Sequence, residues 1–102
     1  MNEAFLHFVW QYQLVNHQHL FTSLNEKVLV INSGTHNTNS GPDFSLAKIK
    51  IGNTVWAGNI EIHIKASDWF KHKHEQDKKY NNIILHVVYE NDLNKTQQQF
   101  NF

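Results

Sequence analysis

Hydrophobic positions first recur at helical spacing. Phe5, Phe8, Val9 and Tyr12 fall three and four residues apart, and Leu6, Trp10 and Leu14 widen the stripe. This pattern predicts a helix over residues 3–14. Residues 16–25 are polar and read as a connection. Residues 28–31 form a short β-branched run, hence a strand, and 32–41 are rich in Asn, Ser, Thr and Gly, hence a loop. Ten irregular polar residues are long for so small a chain, and long ordered loops often carry function.

The period then changes to two. Phe44–Ile51 and Thr54–Lys65 flank Gly52 and Asn53, the signature of a β-hairpin with a tight turn. On the second arm Trp56, Gly58, Ile60, Ile62 and Ile64 share one face. Val55, Ala57, Asn59, Glu61, His63 and Lys65 share the other. Ser67 or Asp68 can cap a helix over 69–80. Residues 83–89 are almost continuously apolar, as in a strand covered on both faces. Strand, helix, strand at this spacing implies a right-handed crossover between parallel strands. Phe100 and Phe102 alternate with polar residues, consistent with a weak edge strand in the last stretch. The expected class is α/β, more strictly α+β. It is a small mixed sheet with one hairpin and one βαβ crossover, and the N-terminal helix packs on it.

Composition narrows the function. The chain has 102 residues, enough for a single domain over 1–102, and 40% are hydrophobic. The formal net charge is zero, which argues against a generic polyanion binder. Lys65, Lys71, Lys73, Lys78 and Lys79 cluster locally but are diluted by Asp68, Glu75 and Asp77. There is no cysteine, and residues 1–6 have no basic start followed by a long apolar run. No signal peptide or membrane span is expected, and a reducing, cytoplasmic location fits.

Eight histidines are spread from His7 to His86. Asp43 precedes the first hairpin strand, and Glu61 and His63 lie near the end of the second. An Asp followed by Glu-x-Lys on the adjacent strand resembles the PD-(D/E)xK nuclease-like folds, and the restriction-endonuclease-like order of elements agrees. That resemblance implies a metal-dependent nuclease or phosphodiesterase. Asp43 and Glu61 would hold Mg²⁺ or Mn²⁺. His63 stands where the lysine should be, as a base or a third metal ligand that would favour Mn²⁺. Lys65, two residues on, could supply the ammonium. The partner implied is nucleic acid, with Lys71, Lys73 and Lys79 meeting phosphates.

Two registers are open. A two-residue turn at Gly52-Asn53 sets Asp43 opposite Ile62, away from Glu61 and His63. A three-residue turn or one bulge sets it opposite His63. The bland alternatives are equally physical. Asp43 after Pro42 is a common turn pair, and Glu61, His63 and Lys65 could form a solvated strand face. Glu3 is either a carboxylate approaching the site or a first-turn acid favoured by the helix dipole. His72, His74 and Asp77 lack the i, i+4 spacing of a zinc-gripping pair. His86 reads as a hydrogen-bonded core residue, open to a supporting role behind Glu61. Trp10, Trp56 and Trp69 read as core aromatics. A His-rich metal site of another class would need three of these side chains to meet.

One further pattern spans nearly the whole chain. It runs from Phe5-Leu6-His7 and Trp10 through Gly41-Pro42-Asp43-Phe44 and Trp56-x-Gly58-Asn59-Ile60-Glu61-Ile62-His63. It continues through Ser67-Asp68-Trp69, His72-x-His74, Asp77, Tyr80 and Ile84-Leu85-His86-Val87-Val88-Tyr89 to about Asp92. Together these motifs resemble the bacterial family catalogued as domain of unknown function 2851. The resemblance implies a longer architecture of which this chain is the N-terminal part, with a downstream region as partner. It brings no activity with it. The alternative function is therefore a non-catalytic, nuclease-like scaffold or binding module. Unpaired sheet edges would also offer a route to a homodimer.

Overall fold

The computed structural model describes residues 1–71, 82–93 and 99–101. Helix α1 (Glu3–Gln11) is capped by Asn2, whose side chain accepts the Phe5 amide at 2.9 Å. It ends three residues earlier than its periodicity predicts. Gln13 turns left-handed at φ 51°, and the amides of Gln13 and Leu14 return to the carbonyls of Trp10 and Val9. This is a Schellman stop built without glycine. The buried stripe of α1 is Leu6 and Trp10, whereas Phe5, Phe8, Tyr12 and Leu14 are exposed. A helix apolar on opposite faces gives two competing stripes, and the recurrence of Phe5, Phe8 and Tyr12 marks the outward one.

The connection after α1 holds one 3-10 turn, His17–His19. Six strands follow among the described residues: β1 (Val28–Asn32), β2 (Thr35–His36), β3 (Phe44–Ile51), β4 (Thr54–Lys65), β5 (Ile83–Glu90) and β6 (Gln99–Asn101). They form one mixed sheet in the order β1-β3-β4-β5-β6, with β2 also pairing β3. Strand β3 is antiparallel to β1, β2 and β4, and β5 is parallel to β4 and β6. Strand β2 interrupts the stretch expected to be wholly loop. The mixed sheet, hairpin, parallel β4–β5 pair and packed N-terminal helix agree with the expected α+β class. Helix α2 (Asp68–Lys71) opens the crossover; the remainder of the helix expected over 69–80, with His72, His74 and Asp77, lies outside the described residues. Ser67, one of the two expected caps, is tied to the chain just past the end of β5. Its hydroxyl donates to Asp92 Oδ2 at 2.6 Å, and its amide donates to Asp92 Oδ1 at 2.9 Å.

The core lies on one face of the sheet, where Leu6 and Trp10 pack with Phe44, Ile49, Ile51, Ile60, Ile62, Leu85 and Val87. Trp56, expected in this group, is exposed beside Ile49 near the turn of the hairpin, and Trp69 is half-buried. Gly58 is required there. A Cβ on it would come within 2.6 Å of Ile84 Cγ2 and 2.9 Å of the Asn82 carbonyl oxygen. Among the described residues no helix is long and apolar enough to cross a membrane.

The hairpin turn has the expected two residues, since Ile51 pairs with Thr54. Gly52, at φ 60°, supplies the left-handed first position of that turn. The register then slips. Ala47 pairs with Gly58 but Phe44 pairs with Ile60, so Ser45 and Leu46 together face Asn59. Leu46 forms the bulge, with φ 59° and a residue exposure of 80%.

The bulge defines a stability test. A left-handed leucine carries roughly 1–2 kcal/mol of backbone strain, and its side chain buries almost nothing in return. Leu46→Gly should therefore raise the unfolding free energy by about 0.5–1 kcal/mol after its own entropic cost, read by urea denaturation. A drop would mean the exposed leucine makes a contact worth more than the strain. Gly58→Ala should lower stability by about 1–3 kcal/mol through overpacking.

Candidate functional site

The slip at Leu46 decides which residues meet. Because the extra residue lies on β3, the register moves opposite to the shift that would pair Asp43 with His63. Asp43, one residue before the Phe44–Ile60 pair, falls opposite Glu61. It thus joins the face that carries Glu61 and His63, leaving the Ile62 face it would share in an unbulged hairpin.

Strand β3 ends at Phe44 while β4 runs on to Lys65, which leaves a notch beside β4. The Asp43 carboxylate fills it. Its Oδ2 accepts the Ile62 amide at 2.8 Å, where a neighbouring strand's carbonyl would otherwise stand. In return the Asp43 amide donates to Glu61 Oε1 at 3.2 Å. The loop that delivers Asp43 is tied by Asn37. Its amide donates to the Asp43 carbonyl at 2.8 Å, and its side-chain Nδ2 donates to the carbonyls of Pro42 and Ser40 at 3.0 and 3.2 Å.

Imidazoles extend this pair in both directions. His7 Nε2, from α1, lies 3.4 Å from Asp43 Oδ2, and His7 Nδ1 lies 3.2 Å from His36 Nε2. On the inner side His63 Nε2 lies 3.9 Å from Glu61 Oε2, and His63 Nδ1 lies 2.7 Å from His86 Nε2. The Trp69 ring covers His86 at 5.2 Å between centroids. Six side chains therefore run in series: His36, His7, Asp43, Glu61, His63, His86. The series is graded in exposure. The side chains of His7 and Asp43 are 17% and 20% exposed, whereas those of His63 and Glu61 are 2% and 3% exposed.

Burial and proximity set the charges. Burial pushes the Glu61 carboxyl far above its ordinary range, and the hydrogen bond to Asp43 and that neighbour's charge push it further. Burial acts on Asp43 in the same sense. There the close approach of His7 and the hydrogen bonds from Glu61 and the Ile62 amide outweigh it, so Asp43 is held below its ordinary value. Two close carboxyls cannot both ionise cheaply. Asp43 carries the charge and Glu61 keeps the proton. His7 is raised by the Asp43 carboxylate against a lowering from burial, with smaller help from the charges of Asp43 and Glu3.

Of the residues singled out from sequence, Asp43, Glu61 and His63 come together. Glu61 and His63 are buried, so the reading of a solvated strand face does not hold for them. It holds for Lys65, which is exposed and whose charge is felt at Asp92. His86 is hydrogen-bonded in the interior, and its partner is His63. Among the described residues, no three His, Asp or Glu side chains converge on one point as a ready metal cage. His7 and His36 were not reached by sequence reasoning. His7 stood only among the matched motif residues, and His36 sat in a polar stretch with no spacing relation to Asp43.

The Glu61 proton has a measurable consequence. Unfolded, Glu61 ionises near its ordinary 4.5; folded, it stays protonated far above that. The stability it contributes is complete in acid and is lost as pH rises. Asp43 acts in the opposite sense and only in acid, below its ordinary 3.8, while the loss from His7 begins above 6.5. Between about pH 5 and 6.5, wild-type unfolding free energy should therefore fall, by up to about 1.4 kcal/mol per pH unit. Glu61→Gln should flatten that slope, as followed by urea denaturation at each pH. Equal slopes in the two proteins would contradict a proton on Glu61.

A family model described as "Protein of unknown function (DUF2851)" matches residues 3–101. No curated protein and no solved structure matches the chain. The match covers α1, the Asp43 loop, the hairpin and the parallel strands, and so every member of the Asp43–Glu61 series. The chain belongs to the DUF2851 family.

Proposed function

We propose that Asp43 and Glu61 form a two-carboxylate centre that takes up Mg²⁺ or Mn²⁺ and serves phosphodiester hydrolysis, with nucleic acid as the substrate class. The observation that supports this reading is the pairing of two carboxyl groups from adjacent strands, with the Asp43 amide on Glu61 Oε1 at 3.2 Å and the Asp43 side chain partly open to solvent. Burial and the charge of Asp43 keep the proton on Glu61. A divalent cation would replace that proton and relieve the repulsion between two carboxylates. The donors fit. They are hard oxygens without thiolate, and Mg²⁺ commonly takes only one or two protein carboxylates, leaving positions for water and substrate phosphate. When bound, the cation would supply charge stabilisation at the phosphoryl oxygen and an acidified attacking water.

The chain's own residues divide the remaining work. Asp43, at the more exposed end, would hold the cation and face the substrate. Glu61, opposite it on β4, would be the second carboxylate ligand. His63, held by His86, stands 3.9 Å behind Glu61 Oε2, where it would support the carboxylate once the cation has displaced the proton. His63 takes the place of the lysine in the nuclease-like pattern as an orienting group, and Lys65 lies outside the contact series.

One observation favours the non-catalytic alternative. The Asp43 carboxylate completes the hydrogen bonding of β4, and the Glu61 carboxyl accepts the Asp43 amide, so both side chains also tie the sheet. Calorimetric titration with Mn²⁺ separates the two readings. The hydrolase reading expects proton release on binding and affinity that tightens as pH rises. It also expects a loss of about tenfold or more in Asp43→Asn and Glu61→Gln. Absence of uptake of Mg²⁺, Mn²⁺ and Zn²⁺ by the folded wild type would leave the pair as a structural clamp.

A further inference from the structure

We propose that His7, braced by His36, is the positioning residue of the Asp43–Glu61 centre, fixing the Asp43 carboxylate in the orientation that faces Glu61. The proposal deepens the preceding reading and rests on it for the cation.

The argument starts from Asp43 Oδ2. A carboxylate held by one backbone amide still turns about a broad terminal torsion. Here Oδ2 has a second neighbour. The Ile62 amide donates to it at 2.8 Å within the sheet, and His7 Nε2 approaches at 3.4 Å from α1. His7 Nε2 is buried and makes no hydrogen bond, so its approach is an ion-pair contact; together with the Ile62 amide it biases the plane of the carboxylate from a second element. With Oδ2 turned toward both, its other oxygen is the one a cation shared with Glu61 would meet.

His7 is itself held. Its Nδ1 meets His36 Nε2 at 3.2 Å, and its ring packs edge-on against Phe44 at 5.9 Å. His36 stacks on the same Phe44 at 4.9 Å and 21°. Phe44 is fully buried, one residue after Asp43. The residue that anchors the two imidazoles is thus covalently joined to the residue they orient. Packing does not demand an imidazole at position 7, because Leu6 and Trp10 carry the buried face of α1.

The test compares His7→Leu, His7→Gln and His36→Leu with wild type by two probes. One is Mn²⁺ affinity by calorimetry. The other is the Ile62 amide in the metal-free protein, followed by its resonance position and hydrogen exchange. His7→Leu should weaken Mn²⁺ about tenfold or more, as loss of a ligand-orienting partner does, and should shift the Ile62 amide and speed its exchange. His7→Gln keeps an N–H at a similar reach and should restore most of both. His36→Leu should move both in the same direction by less. An unmoved Ile62 amide in His7→Leu would overturn the proposal. So would equal losses in the Gln and Leu variants. Should wild type bind no Mn²⁺, the cation reading falls separately, and the Ile62 amide alone decides whether His7 holds Asp43.

Discussion

A single extra residue in β3 underlies most of what is distinctive here. In a regular hairpin from Gly52-Asn53, Phe44 would face Glu61 and Asp43 would face Ile62. That arrangement sets an aromatic ring against a carboxyl and a carboxylate against the core. The bulge at Leu46 exchanges the two faces, so Phe44 enters the core opposite Ile60 and Asp43 comes beside Glu61. The left-handed leucine is the conformational cost of the exchange. The return is the full burial of a phenylalanine, about 1.5–3 kcal/mol, together with two reciprocal hydrogen bonds across the notch.

The same slip creates an electrostatic gradient. Asp43 keeps partial contact with water and is flanked by His7, whereas Glu61 sits in the interior with His63 and His86 behind it. Charge is retained on Asp43, where hydrogen bonding outweighs burial, and the proton is retained on Glu61, where burial dominates. The pair stays close without mutual repulsion because one member is neutral.

The fold was readable because its signals are local. Two-residue alternation placed Ile60 and Ile62 on one face and Glu61 and His63 on the other, and an unbroken apolar run marked β5. The register was not readable. It depends on whether Phe44 gains more from burial than Leu46 loses in strain, and that balance is struck only when β4 and α1 are in place. The same holds for Phe5, Phe8 and Tyr12, whose helical spacing is real but faces outward. His7 and His36 are 29 residues apart and become neighbours of Asp43 only through α1 packing and the short strand β2. No pattern along the chain encodes that meeting.

One rung of the β4 ladder is a side chain. Losing the Asp43 carboxylate would leave the Ile62 amide without its acceptor, so this aspartate is useful to the fold whether or not any chemistry takes place. Selection for foldability alone would keep it. Among related chains, an aspartate at this position would therefore be a poor witness for activity. The imidazole at position 7 would be a better one under the proposed role, because Leu6 and Trp10 carry the buried face of the helix while His7 faces the carboxylate.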